Sequence, residues 1–150
     1  MSNIKLNKIF KTACIASDHA GYKLKEDIKN YLIDKKMSVF DIGPYNYNSV
    51  DYPDYAKKLG NRIKLKKSDV GILICGSGTG MAISANKIKT IRAAVCYNLK
   101  STRLSRQHNN ANIMTLGSRL TKKNLSLKLV EIFLNTKFEG GRHLRRVKKI

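Results

Sequence analysis

The chain alternates five times between short apolar segments and segments with a helical repeat, and this alternation limits its fold more than any other feature. The predicted strands are residues 12–17, 37–43, 69–75, 91–97 and 112–117. After the first strand, Leu24, Ile28 and Leu32 recur every fourth residue, as on one face of an amphipathic helix. The alternation predicts an α/β fold, a Rossmann-like αβα sandwich whose five-stranded parallel sheet has helices on both faces.

The length of 150 residues suits one domain, and no repeat or low-complexity linker divides it. We assign residues 1–150 to this single domain, with residues 1–11 as a basic leader that we expect to be frayed. The leader lacks the apolar stretch of a secretory signal, and no segment reaches the roughly 18 apolar residues of a membrane span. Three cysteines without metal-ligand spacing suit a reducing compartment, and Cys14 and Cys96 lie inside apolar runs, as packing residues do. We therefore expect a cytoplasmic protein without a membrane partner.

Basic residues outnumber acidic ones three to one, and the excess is uneven along the chain. The sequence has 30 Lys and Arg against 10 Asp and Glu, a formal net charge of +20. Up to Cys75 there are 14 basic and 8 acidic residues, and beyond it 16 and 2. This charge favours an anionic partner, which could be nucleic acid, an acidic membrane or a phosphorylated metabolite. A general bias toward lysine on solvated helix faces explains the excess equally well.

The segment ILICGSGTG, residues 72–80, places a glycine-rich turn directly after a buried strand. It is not a Walker A motif, because the chain has no Gly-Lys pair, and it is not a dinucleotide-binding G-x-G-x-x-G, because Gly80 comes one place too early. A G-x-S-x-G elbow fails because no glycine stands two places before Ser77. What remains is a concave set of peptide N–H groups at a helix start, which suits negative charge. From spacing alone, Cys75 is a base, a nucleophile or a packing residue.

Polar residues that suit a small-molecule site follow several predicted strands. Asp18 and His19 come after the first strand, and His108 stands in the polar helix after the fourth. Ligands of open parallel sheets bind at the carboxyl ends of the strands. The third histidine, His143, lies near the end of the chain, and no two histidines have the spacing of metal ligands. We therefore expect a small-molecule site without a metal rather than a nucleic-acid interface.

Short segments in a fixed order cover most of the chain between Ala13 and Val147. They are SDHAG (17–21), DYPDYA (51–56), GILICGSGTG (71–80), SANKI (84–88), RAAVC (92–96), LSRQHNNAN (104–112), LGSR (116–119) and EGGRH (139–143). This set resembles the sugar-phosphate isomerase family of ribose-5-phosphate isomerase B and the galactose-6-phosphate isomerase subunits. The resemblance implies interconversion of ribose 5-phosphate and ribulose 5-phosphate, in the non-oxidative pentose phosphate pathway. It implies an enediolate intermediate and neither a metal nor a cofactor.

The resemblance also implies a role for each residue that matches the family's site. Cys75 would be the base that moves a proton between C2 and C1, and His108 would help to open the furanose ring. Ser77, where many relatives carry Thr, would offer a hydroxyl to the sugar oxygens, and Asn109 would support the oxyanion. The implied binding residues are Asp18 and Tyr52 for the sugar, Gly76, Gly78, Thr79 and Gly80 for the enediolate oxygens, and His19, Arg119, Arg142 and Arg146 for the phosphate. The basic tail, residues 136–150, would thus contribute to the site.

The family's site is a cleft between two subunits, so the resemblance implies a homodimer, or a dimer of dimers, with the segments of His108 and Arg119 donated across the interface. One alternative keeps the chemistry and changes the sugar to allose 6-phosphate or galactose 6-phosphate. The galactose enzymes need two different subunits, which favours ribose for a chain that has the thiol, the histidine and the arginines together. Another alternative is a non-catalytic binder of RNA or other polyanions on the same fold. Because the chain lacks the aromatic-basic signature of an RNA-recognition sheet, we expect no nucleic-acid partner.

Overall fold

The computed structural model of the protein describes residue 6 and residues 9–150. The strands of this part of the chain are β1 (Thr12–Ser17), β2 (Ser38–Gly43), β3 (Val70–Cys75), β4 (Ala93–Val95) and β5 (Ile113–Gly117). Its helices are α1 (Tyr22–Asp34), α2 (Tyr52–Lys64), α3 (Thr79–Ala85), α4 (Leu99–Gln107), α5 (Lys123–Asn135) and α6 (Arg142–Val147). None of these helices is both long enough and apolar enough to cross a membrane.

The strands form one parallel sheet in the order β2-β1-β3-β5-β4. The predicted α/β fold with a five-stranded parallel sheet is confirmed. All residues of the central strand β3 are buried, as its nearly continuous apolar sequence indicated. In the ladder, Ser17 pairs with Ile74 and Cys75 pairs with Gly117. The chain therefore leaves β1, β3 and β5 at about the same level, and the loops that follow them lie side by side.

Different helices cover the two faces of the sheet, because successive strand side chains point to opposite faces. On one face, α1 and α5 bury side chains such as Ile28 and Phe133 against the sheet. On the other face, α2 and α3 do the same with side chains such as Leu59 and Met81. Cys75 belongs to the second cluster, so its side chain lies on the side of α2 and α3.

The structure differs from the predicted elements in two places. The predicted strand 91–97 is reduced to β4, because β4 is an edge strand that pairs only with β5. The predicted tail, residues 136–150, contains the helix α6, which begins after a turn at Gly140 and Gly141. These two glycines have φ angles of +66° and +53°, a conformation that glycine adopts without steric cost.

The end of the predicted leader packs against the domain. Leu6 and Phe10 contact the hydrophobic cluster on the α1–α5 face, and the ring of Phe10 lies 4.8 Å from the guanidinium carbon of Arg106. Residues 1–5, 7 and 8 lie outside the described residues, so fraying of that part stays a prediction.

Candidate active site

Hydrogen bonds join the loops that follow β1, β3 and β5 at the carboxyl edge of the sheet. The N–H of Asp18 donates to the carbonyl oxygen of Ile74 over 3.1 Å, and the N–H of Ser118 donates to that of Cys75 over 2.9 Å. The Ser118 hydroxyl donates to the carbonyl oxygen of Ala20 over 2.8 Å. The three loops are thereby held together at the edge where ligands of parallel sheets bind.

Cys75 ends β3 with its thiol inside the glycine loop. Its sulfur accepts a hydrogen bond from the N–H of Gly78 over 3.1 Å, and the residue is only 5% exposed. Gly78 has a φ angle of +80°, and a Cβ there would lie 3.0 Å from the backbone carbon of Leu116. The hydroxyl of Thr115 donates to the Gly78 carbonyl oxygen over 2.7 Å. The loop is thus fixed with a peptide N–H directed at the sulfur, an arrangement that suits negative charge on that atom.

The other two cysteines are packing residues. Burial raises the pKa of the Cys14 thiol to about 12 and the pKa of the Cys96 thiol to about 11. Both thiols are therefore neutral near pH 7, and that of Cys14 donates weakly to the carbonyl oxygen of Val70, with the two atoms 3.7 Å apart. Cys75 is left as the candidate base among the three cysteines.

Peptide N–H groups of the glycine loop are available to a ligand. Those of Gly76, Ser77 and Gly80 form no hydrogen bond with any residue that the structure describes. The N–H of Thr79, the first residue of α3, donates to the Ser77 hydroxyl oxygen over 3.3 Å. Such fixed donors stabilise negative charge that develops on a bound molecule. The structure therefore brings the predicted loop residues together beside the Cys75 thiol.

Arg119 and Tyr52 both lie against the glycine loop. A Cβ on Gly76 would be 3.1 Å from Nη1 of Arg119, so the guanidinium group passes directly over that glycine. A Cβ on Gly80 would be 2.7 Å from two ring carbons of Tyr52. Any side chain at these two glycines would displace the arginine or the tyrosine. Both predicted binding residues are thus placed at the loop that contains Cys75.

Asp18 and His19 reach the same edge from the turn before α1. Asp18 is buried, and its Oδ1 accepts the N–H of Gly21 over 3.0 Å, which holds the turn. Nδ1 of His19 accepts the N–H of Val50 over 3.3 Å. Because Nδ1 accepts, a neutral His19 has its proton on Nε2, where it can be donated to a ligand.

His108 lies at the opposite, amino edge of the sheet. It directly follows α4, which runs from the carboxyl end of β4 back to the amino end of β5. The residues that follow His108 confirm this placement. The N–H of Asn112, just before β5, donates to the carbonyl oxygen of Arg92, just before β4. Five strand residues at about 3.3 Å each separate the two edges by roughly 16 Å. Cys75 and His108 of one chain are therefore too far apart to reach the same atoms of one sugar.

His143 stacks on His108 at the amino edge. The ring centroids are 4.2 Å apart and the ring planes differ by 10°. Oε2 of Glu139 lies 3.9 Å from Nε2 of His108 and 3.6 Å from Nε2 of His143. The N–H of Glu139 donates to the carbonyl oxygen of Gln107 over 3.0 Å, which attaches the tail to the end of α4. Glu139 and His143 are not among the site residues predicted from the sequence, although the EGGRH segment contains both.

The two stacked histidines lie in different surroundings. His143 is buried, whereas the His108 side chain is 37% exposed. Burial lowers the pKa of His143, the positive charges of His108, Arg142 and Arg146 lower it further, and the Glu139 carboxylate opposes them. His143 is therefore neutral near pH 7.

The predicted site residues thus form two groups at opposite edges of the sheet. The carboxyl-edge group consists of Asp18, His19, Tyr52, Cys75, Gly76, Ser77, Gly78, Thr79, Gly80 and Arg119. The amino-edge group consists of His108, Asn109, Arg142 and Arg146, with Glu139 and His143 beside them. The segments of His108 and Arg119 were expected to be donated together across a dimer, but in this chain they lie at opposite edges of the sheet. Arg119 follows β5 by two residues and lies on the loop of its own chain.

His108, Glu139 and His143 are residue types that bind metal ions, and their ligand atoms all lie within 4.8 Å of one another. The sequence spacing of the histidines did not indicate this cluster. An ion lies close to the plane of each imidazole that binds it, at about 2.0 to 2.1 Å from the nitrogen. Two nearly parallel, stacked rings do not offer both nitrogens to one such point. The observed arrangement therefore suits proton exchange better than metal binding.

The chain is similar to known proteins over nearly all of its length. A family model described as Ribose/Galactose Isomerase matches residues 13–150. The ribose-5-phosphate isomerase B of Escherichia coli is 40% identical over 140 residues, which are 93% of this chain and 94% of that protein. A ribose 5-phosphate isomerase from Thermotoga maritima superposes with a TM-score of 0.90 at 51% identity, over 92% of this chain and 95% of the other. Ribose-5-phosphate isomerase B from Mycoplasma genitalium, solved with bound ribulose-5-phosphate, gives a TM-score of 0.89 at 43% identity, over 92% of each chain.

Proposed function

Because the chain belongs to the ribose/galactose isomerase family, we propose that it interconverts ribose 5-phosphate and ribulose 5-phosphate with Cys75 as the base. The observation that supports this most is the Cys75 sulfur, which accepts the Gly78 N–H over 3.1 Å in a loop with further free N–H donors. The relative from Mycoplasma genitalium binds ribulose-5-phosphate, the product of the proposed reaction.

The loop suits an enediolate intermediate. The Cys75 thiolate removes the proton from C2 of the open-chain aldose, and the electron pair forms a C1–C2 double bond while negative charge moves to the oxygen on C1. The N–H groups of Gly76, Ser77 and Gly80 stabilise that oxygen, and the Ser77 hydroxyl is close to the oxygens of both carbons. The proton on the C2 oxygen moves to the C1 oxygen, and the thiol returns its proton to C1, so that C2 becomes the carbonyl carbon of the ketose. Removing one fixed donor of this kind costs about 10²- to 10³-fold in rate.

The phosphate is expected to bind outside the glycine loop, next to the Arg119 guanidinium. His19 and Arg119 supply donors at the carboxyl edge, and Arg142 and Arg146 supply positive charge from α6. Charge-assisted hydrogen bonds of this kind are worth about 1.5 to 3 kcal/mol each. The net charge of +20 exceeds what four ligands need, so we interpret the surplus lysines as solvated surface. The three cysteines are free thiols, which suits the reducing cytoplasm.

A homodimer with the site between subunits would unite the two groups of residues. In one chain Cys75 and His108 lie at opposite edges of the sheet, whereas a partner that presents its amino edge to the carboxyl edge would complete the site. This proposal is tested with Cys75→Ala and His108→Ala proteins, each of low activity alone. Mixed dimers regain one intact site if the two residues come from different subunits. Mixed dimers as inactive as their parents would show that each chain forms its own site.

The decisive assay measures ribulose 5-phosphate formation from ribose 5-phosphate by purified protein without added metal. We expect turnover of ribose 5-phosphate to exceed that of allose 6-phosphate and galactose 6-phosphate in kcat/KM. The six-carbon alternative deserves this comparison because the matching family model covers both ribose and galactose enzymes. The opposite order of kcat/KM would make the protein a six-carbon isomerase, and no turnover of any of them would overturn the proposed activity.

Salt dependence separates the enzyme from a polyanion-binding protein. Binding of RNA through many phosphate contacts falls steeply with the logarithm of salt concentration, by about 10³- to 10⁵-fold between 50 and 200 mM for 6 to 10 contacts. Turnover of a single small phosphate should fall only gently over the same range. Tight, strongly salt-dependent RNA binding without turnover would favour the binding protein.

A further inference from the structure

We propose that His143 is a positioning residue for His108, because its buried ring stacks on the His108 ring and fixes the plane of that ring. This inference rests on the proposed function, in which His108 helps to open the furanose ring. It assigns a role to a side chain that does not itself reach the reacting carbon atoms.

In the stack, the His143 ring is buried and the His108 ring is partly exposed. His143 is 8% exposed, and the N–H of His143 donates to the Gly140 carbonyl oxygen over 3.0 Å in the turn that begins α6. The His108 side chain is 37% exposed and follows the end of α4. Since the N–H of Glu139 bonds to the Gln107 carbonyl oxygen, the turn before α6 and the residue before His108 are held together. The buried ring therefore acts as a platform for the exposed one.

Burial and the charges around the stack keep the buried ring uncharged. Burial together with the charges of His108, Arg142 and Arg146 lowers the pKa of His143, and only Glu139 opposes them. A neutral ring stacks favourably on a cationic one, whereas two cationic rings would repel. Glu139 places a carboxylate oxygen 3.9 Å from Nε2 of His108. With His143 neutral, the stack is compatible with a positive charge on the exposed ring.

An imidazolium at this position supplies the proton that ring opening needs. His108 donates a proton to the ring oxygen as the bond from that oxygen to C1 breaks. The hydroxyl on C1 gives its proton to water, and C1 becomes the aldehyde carbon. His108 then takes a proton back from water, so atoms and charges balance. The ring must point its N–H at one oxygen atom, which explains the value of a platform that fixes its plane.

The test separates ring opening from proton transfer at carbon. Ribulose 5-phosphate cannot form a furanose ring, because the hydroxyl that would close it is phosphorylated. Exchange of its C1 hydrogen with solvent therefore needs Cys75 and the glycine loop but not ring opening. We expect His143→Ala to lower kcat for ribose 5-phosphate about tenfold or more, within the range for a displaced acid–base group. KM for ribose 5-phosphate and the exchange rate of ribulose 5-phosphate should change little.

His143→Phe is the conservative variant, because it keeps a ring for stacking but cannot be protonated. It should recover most of the turnover lost in His143→Ala. Leu144→Ala, at the exposed neighbouring position of α6, is the matched control and should behave as wild type. Normal turnover in His143→Ala, or a His143→Phe variant as poor as His143→Ala, would overturn the platform role. An equal loss of exchange would also overturn it, because the effect would then not be confined to ring opening.

Failure of the proposed function gives a different result. In that case the wild-type protein would neither convert ribose 5-phosphate nor exchange the C1 hydrogen of ribulose 5-phosphate.

Discussion

The backbone N–H of Gly78 donates a hydrogen bond to the sulfur of Cys75 over 3.1 Å, so the glycine loop and the thiol at its entrance form one unit. A phosphate bound in this loop would place its negative charge next to the candidate base. The loop is better suited to the reacting end of the sugar, where charge develops next to the base. We therefore expect His19 and the arginines, none of which belongs to the loop, to bind the phosphate.

Replacement of Cys75 tests this assignment. We expect Cys75→Ala and Cys75→Ser to lower kcat by about 10²- to 10⁴-fold, the usual contribution of a general base. KM should change little, because the thiol acts on the proton at C2 rather than on substrate binding. Cys96→Ala is the matched control, since burial keeps that thiol neutral, and it should retain kcat. Steady-state kinetics with ribose 5-phosphate decide the matter, and full activity in Cys75→Ala would remove Cys75 as the base.

Arg106 fixes the end of α4 from inside the domain. Its Nε donates to the carbonyl oxygen of Thr136 over 3.1 Å and its Nη1 to that of Ala111 over 2.6 Å, and the residue is 3% exposed. Burial and the nearby Arg92 lower its pKa to about 10, so it is still protonated near pH 7. A buried carbonyl oxygen without a donor costs about 1 to 3 kcal/mol, so Arg106→Met should lower the free energy of unfolding by about 2 kcal/mol or more.

Urea denaturation followed by circular dichroism measures this loss. Arg103→Met is the matched control, because Arg103 lies on the same helix and is exposed. Surface substitutions of this kind usually change the free energy of unfolding by no more than about 0.5 kcal/mol. Equal stabilities of the two variants would mean that Arg106 does not hold the chain at Thr136 and Ala111.

The fold was predictable because each strand has a distinct local pattern. The central strand β3 is covered on both faces, so its sequence VGILIC is apolar throughout. The predicted strand 91–97 is longer than the edge strand β4. The apolar sequence does not show that β4 pairs with a neighbour on one side only. The helix α6 was missed because two glycines precede it and half of its residues are arginines. Its stability depends on tertiary contacts such as the burial of His143, which no local pattern contains.

The candidate site was only half predictable. Residues at the ends of β1, β3 and β5 could be placed together, because parallel strands end at the same edge. The contact between His108 and His143 joins positions 35 residues apart and depends on the path of α5 and on the bond between Glu139 and Gln107. The alternation itself already implied that His108, after a helix, lies at the amino edge. The family resemblance placed His108 in one site with Cys75. A single chain cannot form that site, because the two residues lie at opposite edges of the sheet.

Arg142 is expected to bind the substrate phosphate. Loss of a charge-assisted hydrogen bond worth about 1.5 to 3 kcal/mol raises KM roughly tenfold or more, with a smaller effect on kcat. We therefore expect Arg142→Ala to raise KM for ribose 5-phosphate by that amount. Arg145→Ala, which removes the same charge from the same helix, should leave KM nearly unchanged. Equal effects of the two substitutions would point to overall charge instead of a phosphate contact.

The buried Lys25 joins α1 to β2 through an ionic network. Lys25 is 0% exposed, and its Nζ lies 2.7 Å from Oδ2 of Asp41 and 2.6 Å from Oε1 of Glu26. Lys29 adds a second contact to Asp41 over 2.9 Å. Oδ1 of Asp41 accepts the N–H of Gly43 over 2.8 Å, so the network also supports the start of the loop that reaches His19.

The network predicts a loss of stability in acid. Burial alone would raise the pKa of Asp41, but hydrogen bonds from Lys25 and Lys29 outweigh it and hold the pKa below its ordinary value. A carboxylate of this kind stabilises the fold above its unfolded pKa of about 3.9, and the contribution disappears as the pH falls through the lower, folded pKa. The contribution of Asp41 to the free energy of unfolding should therefore change little between pH 7 and 5 and fall at lower pH.

The Asp41→Asn variant measures how much the Asp41 carboxylate contributes to the free energy of unfolding. At pH 7 it should be less stable than wild type, because removing one partner of a buried ion pair costs about 3 to 5 kcal/mol when the other charge stays buried. On acidification the difference should shrink, since the wild-type carboxylate becomes neutral as well. Asp54→Asn, at an exposed position of α2, is the matched control and should follow the wild-type curve. Urea denaturation at several pH values measures the difference, and a gap between Asp41→Asn and wild type that stays constant down to pH 2 would contradict the lowered pKa.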